Sequence, residues 1–139
     1  MTKTLKEAWA RDADADSGGI IMREIKFRAW DKEEQEMLDW DKFFNLDIAQ
    51  VFESKGSWGI YPMQYTGLKD KNGVEIYDGS IIRFVLGDYN IREYVEEVVY
   101  SDGAFWCGNW LLFDAKMNDD NLEVLGNIYE NPELLEGNQ

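Results

Sequence analysis

Three residues near the start of the chain could do binding chemistry together. Lys26, Arg28 and Trp30 alternate with Ile25, Phe27 and Ala29, and side chains on a strand point alternately to opposite faces. Burying the second set turns two cations and an indole outward as one patch. A cation beside an aromatic ring can meet a nucleotide, another anion or an acidic partner. The plainer reading is an exposed face balanced by neighbouring carboxylates.

Other candidates are weaker. The chain has no histidine and one cysteine, Cys107. Nucleophilic triads need a base, usually histidine, and zinc sites want Cys and His together. Cys107 sits in Ala104-Phe105-Trp106-Cys107-Gly108 and reads as a buried, inert thiol. Gly56-Ser57-Trp58-Gly59 follows Lys55 but lacks the order of a phosphate-cradling loop. Asn118-Asp119-Asp120-Asn121 and Glu96-Glu97 carry oxygen ligands suited to a hard cation, without calcium-loop spacing; they read as solvated loop and strand. No catalytic residue, metal or cofactor is therefore expected, and the chain does not read as an enzyme. Trp58, in a glycine-flanked loop, is the tryptophan expected to be most exposed and a candidate for a partner interface.

Composition narrows the partners. The 139 residues carry 28 acidic and 14 basic side chains, a net charge of −14. Such a field opposes approach to a nucleic-acid backbone or an anionic membrane. An acidic face could instead meet a basic protein, even by imitating nucleic acid. Apolar residues make up 45% and aromatics 14%, enough for one domain's core. No apolar run reaches the ~18 residues of a membrane span. One unpaired cysteine and no apolar signal segment fit a cytoplasmic setting.

The elements follow from periodicity and turn chemistry. Residues 1–21 read as a leader, loosely held. Thr4-Leu5-Lys6-Glu7 resembles a capping box, and an acidic, glycine-ending linker follows. From Arg23 a period of two predicts a strand through Trp30. Met37–Trp40 reads as a return strand and Lys42 to about Val51 as a short helix. Strands are expected over Met63–Gly67, Glu75–Tyr77, Ile81–Leu86, Arg92–Tyr100, Ala104–Phe113 and Leu122–Tyr129. Asn72-Gly73, Asp78-Gly79 and Asp102-Gly103 mark turns between them. Pro132 opens a last helical turn at Glu133-Leu134-Leu135. Closely spaced strands of this kind predict a mainly β fold, a small barrel or coiled, strongly bent antiparallel sheets with one or two short helices. Ile25, Phe27, Ile76, Ile81, Phe84, Val98, Leu125 and Ile128 are the expected core.

Three stretches carry a family resemblance. They are Met22-Arg23-Glu24-Ile25-Lys26-Phe27-Arg28-Ala29-Trp30-Asp31, then Gln64-Tyr65-Thr66-Gly67-Leu68-Lys69-Asp70-Lys71-Asn72-Gly73-Val74-Glu75-Ile76-Tyr77-Asp78-Gly79, and finally Val124-Leu125-Gly126-Asn127-Ile128-Tyr129-Glu130-Asn131-Pro132-Glu133-Leu134-Leu135. In that order they resemble the YopX family of phages and prophages of Gram-positive bacteria. The similarity covers about Met22 to Leu135, so residues 22–139 are expected to be a single YopX-like β domain. Ser80 stands where the family commonly has an acidic residue. The resemblance implies a fold of coiled sheets and no catalytic residue.

The reading that results is a phage- or prophage-encoded, non-catalytic accessory protein. It acts by binding a host or phage protein through an acidic, aromatic-bearing surface, without direct contact to nucleic acid or membrane. The alternatives are a small-ligand or nucleotide binder at Lys26, Arg28 and Trp30, and a structural component that self-assembles into a homo-oligomer.

Overall fold

The structure, a computed structural model, describes residues 24–136. The leader expected over residues 1–21 lies outside the described residues. Two compact units divide the chain, one ending at Gly67 and the other beginning at Leu68.

The first unit holds β1 (Phe27–Asp31), β2 (Glu36–Leu38), α1 (Trp40–Phe44), α2 (Ile48–Ser54) and most of β3 (Ile60–Lys69). β1 lies between β2 and β3, antiparallel to both, with Ala29 opposite Leu38 and Pro62. The single helix expected between Lys42 and Val51 is two helices. Asp39 caps the first by accepting from Lys42 N–H, and Asp47 caps the second by accepting from Gln50 N–H. An aspartate favours starting a new helix over continuing an old one, because its carboxylate competes for the backbone. Ala29, Leu38, Phe43 and Val51 form the buried core, with Phe27, Ile48 and Ile60 packed against them.

The second unit holds β4 (Glu75–Tyr77), β5 (Ser80–Leu86), β6 (Arg92–Ser101), β7 (Ala104–Cys107), β8 (Trp110–Leu111), α3 (Leu112–Asn118), β9 (Glu123–Asn127) and α4 (Glu133–Glu136). Its antiparallel sheet runs β8-β7-β6-β5-β9 and curls into a half-barrel. Asp102 and Gly103 both take positive φ, as a two-residue hairpin between right-twisted strands requires. Ile76, Ile82, Phe84, Val98, Cys107, Leu112, Ala115 and Leu122 form the core. The mainly β expectation holds, with four short helices among the described residues. No helix among them is long and apolar enough to cross a membrane.

Three expectations need correction. The strand expected over Ala104–Phe113 ends at Cys107, resumes for two residues, and becomes α3 at Leu112. A short apolar run has no period that separates strand from helix, and the chain turns at Gly108-Asn109. Leu125 is 38% exposed because the β5–β9 register shifts there: Gly126 pairs with Ile81 and Val124 with Ile82. The extra residue of a bulge leaves the alternation that was to bury it. Ile25 is also 38% exposed, lying before the first ladder residue, Phe27.

Candidate functional site

The patch expected at Lys26, Arg28 and Trp30 is only half open, with Lys26 and Arg28 half-buried. Trp30 is 7% exposed. The alternation itself is as expected, since Phe27 and Ala29 join the core. Yet the opposite face is covered too. Arg28 pairs with Met63 and Trp30 with Tyr61 across the β1–β3 ladder, and Tyr65 N–H donates to Lys26 O. Met63 and Tyr65, on that same face, are buried. Both faces of β1 therefore carry apolar side chains, which alternation read on one strand does not reveal. Lys26 is engaged locally: its Nζ lies 3.1 Å from Glu24 and 4.9 Å from the Tyr65 ring centroid. Trp58 is 53% exposed, in the loop between α2 and β3.

The motif residues of the second unit turn out to be structural pegs. Asp70 is buried. Its Oδ1 accepts from Asn72 and Val74 N–H at 2.8 and 2.9 Å, and its Oδ2 from Val124 N–H at 2.9 Å. Burial pushes its carboxyl up. The three backbone donors, with Lys116 nearby, outweigh that and hold it below the ordinary value of 3.8. Ser80, also buried, accepts from Tyr77 N–H at 3.0 Å and so closes the Asp78-Gly79 turn. A hydroxyl does this without a buried charge. Asn127 accepts from Tyr129 and Glu130 N–H, while Asn131 Oδ1 accepts from Asn127 N–H. A side chain at Gly126 would collide with that Asn131 amide, so the glycine leaves room for the cap.

Asp119, read as part of a solvated loop, is buried instead and accepts from Val85 and Asn121 N–H. No group of three or more Cys, Asp or Glu side chains is placed to hold a metal ion among the described residues. Cys107 is buried, and its thiol is pushed up to about 12 by desolvation and by the charge of Glu96. A thiol so placed is a poor nucleophile at neutral pH.

A groove of about 690 Å³ lies on the outer face of β6 and β7. Val95, Glu97 and Val99 alternate along its floor, and Trp106 sits opposite Val99 in the ladder. The indole N–H donates to Ser101 O at 2.9 Å, which fixes the ring. Asp102 adds a second carboxylate and Leu135 of α4 an apolar wall, while Glu96 borders the groove with its side chain on the alternate face, beside Gly108. No Lys or Arg lines the groove among the described residues. Burial, and then the charge of Asp78, raise the carboxyl of Glu97 above its ordinary value of 4.5. Sequence reasoning named Glu96-Glu97 only as a weak cation site. The available signal was Val95-Glu96-Glu97-Val98-Val99, where two adjacent valines show that both faces of one strand carry apolar residues.

Comparison with known proteins agrees with this architecture. A family model described as YopX protein matches residues 26–136. The SPbeta prophage-derived uncharacterized protein YopX of Bacillus subtilis is 28% identical, over 80% of this chain and 96% of that protein. The crystal structure of protein EF1440 from Enterococcus faecalis superposes with a TM-score of 0.59 at 32% identity, covering 82% of this chain and 99% of that one. Among the matched residues are Asp70, Gly126 and Asn127, whose side chains or missing side chains build turns. The chain belongs to the YopX family.

Proposed function

We propose that this chain is a phage- or prophage-encoded accessory protein that acts by binding another protein, without catalysis, through an acidic and aromatic-bearing surface. The observation that carries this reading is the groove on β6 and β7. The carboxylates of Glu97 and Asp102 and the half-buried indole of Trp106 line it, with no basic residue among the described lining. Aromatic side chains in a concave, partly apolar site are the usual anchors of protein recognition. The net charge of −14 steers a basic partner toward any such site and repels nucleic acid. The residue chemistry supports a non-catalytic role, since the chain offers no histidine and its one thiol is held protonated.

Self-assembly through strand edges has less to recommend it at β9. Its outer N–H groups at Val124 and Asn127 are already taken by Asp70 and Asn131, and side-chain caps of this kind blunt an edge.

The test is comparative capture. Wild type and the variant Asp102→Lys would be crosslinked in extract of a bacterial host carrying the phage. The expected result is a stoichiometric protein that wild type retains, that the variant loses, and that added salt releases. Identical captures by both proteins would overturn the assignment of the surface.

A further inference from the structure

We infer that the groove on β6 and β7 receives a single arginine or lysine side chain from a basic protein segment, with its aliphatic stem on Val95, Val99 and Leu135 and its charged end between Glu97 and the Trp106 ring. This rests on the groove being the binding surface proposed above, and it names what that surface recognises.

The floor has the layout such a side chain needs. On a strand, residues two apart share a face, so Val95, Glu97 and Val99 present an apolar, an acidic and an apolar position in a row. Val99 is 43% exposed, an apolar surface the protein leaves open at this point. Trp106 lies directly across from it. Long basic side chains lie along apolar surface while their charged ends seek an anion or a ring face. The indole is already oriented by its bond to Ser101 O, so little ordering is left for binding to supply.

Charge complementarity selects the occupant. Glu97 is an anion partly withdrawn from water between two valines, with the like charge of Asp78 acting on it. None of the described lining residues is basic, and Arg83, in register with Val95, is held by Glu93 and Glu123. A bound cation would offset the charge. A bare metal ion is a poor fit, because the carboxylates here do not gather into a ligand cluster and an apolar floor gives a hard cation nothing to bind. A guanidinium or ammonium on a hydrocarbon stem uses the acid, the ring and the apolar floor at once.

The full-length, isotopically labelled chain would be titrated with N-acetyl-arginine amide, N-acetyl-lysine amide and N-acetyl-citrulline amide, followed by amide and indole resonances. The charged probes are expected to bind at about millimolar strength, as one side chain can, shifting the Trp106 indole and the amides of Glu97 and Val99. Citrulline, a neutral analogue of arginine, should bind about tenfold more weakly. Glu97→Gln should weaken the charged probes by about tenfold with no loss of thermal stability. Equal binding of citrulline, shifts confined to residues outside the groove, or full binding by Glu97→Gln would overturn the inference. If the probes fail while the Asp102→Lys variant still loses its captured protein, the inference falls and the binding surface stands. If the probes bind as expected while capture does not distinguish the variant, the cation site stands and the protein-binding function falls.

Discussion

The two units reach stability by different means. The first gathers rings: Phe27 meets Phe43 and Phe52 edge-on at 6.2 and 5.4 Å, and Trp40 meets Phe44 at 5.0 Å. Its helices are short, and tertiary packing must hold them, since isolated helices of this length are unstable. The second unit has one ring cluster, Phe84 with Tyr94 and Trp110 at 5.4 and 5.9 Å, on an otherwise mostly aliphatic core, but it inserts polar side chains into its interior. Asp70, Ser80, Asp119 and Asn127 are all buried, and each accepts from backbone N–H groups. Asp70 ties a hairpin turn to a strand 54 residues further on. The contrast teaches where the family motifs belong. Asp70 and Asn127 supply the acceptors that hold turns and Gly126 leaves the room one of those turns needs, so a binding site need not lie among them.

Substitutions can sharpen that contrast. Phe43→Ala should be the most damaging, costing about 3–5 kcal/mol in equilibrium unfolding, as truncations of fully buried aromatics do. A cost below about 1 kcal/mol would show that the aromatic cluster contributes little to the first unit. Asn127→Ala should cost about 2 kcal/mol, because it removes the buried oxygen that accepts from Tyr129 and Glu130 N–H. Asn127→Asp retains the accepting oxygen and should recover part of that loss. Gly126→Ala should cost about 1–2 kcal/mol through displacement of Asn131; retention of wild-type stability would mean the cap can shift freely.

The smallest expected effect has the opposite sign. Glu97 is raised, so the fold favours its protonated form. That contribution is full below the unfolded value and is lost as pH rises through the folded one. At pH 7 Glu97→Gln should therefore stabilise the second unit by up to about 1 kcal/mol. The gain should vanish in acid. Destabilisation at pH 7 would place Glu97 among the structural pegs and not in a ligand groove.

Much of the second unit was legible because its turns declare themselves. Glu75–Tyr77 is a strand with the bounds the sequence suggested, and Asp102-Gly103 turns as its residue types demand. The final helical turn begins after Pro132 as expected. The bulge at Leu125 was not legible, since one extra residue in a ladder leaves no mark in a five-residue pattern. Nor was the burial of Trp30, which depends on what covers the second face of β1. The Lys26, Arg28 and Trp30 patch was read from one strand taken alone. The Glu97 groove needs β6, β7 and α4 brought together, and no local pattern encodes that meeting.

The claim that motif residues serve the fold can be tested at Asp70 by following stability against pH. Its folded carboxyl lies below the ordinary value of 3.8. The stabilisation it provides is present above the unfolded value and is lost as pH falls through the folded one. Denaturant unfolding of wild type and Asp70→Asn would be compared from neutral pH into acid. The expected result is a deficit for Asp70→Asn of about 2–3 kcal/mol at pH 7, shrinking toward zero in acid as Asp70 protonates in the wild type. Equal stability at pH 7, or a deficit that does not change with pH, would contradict it.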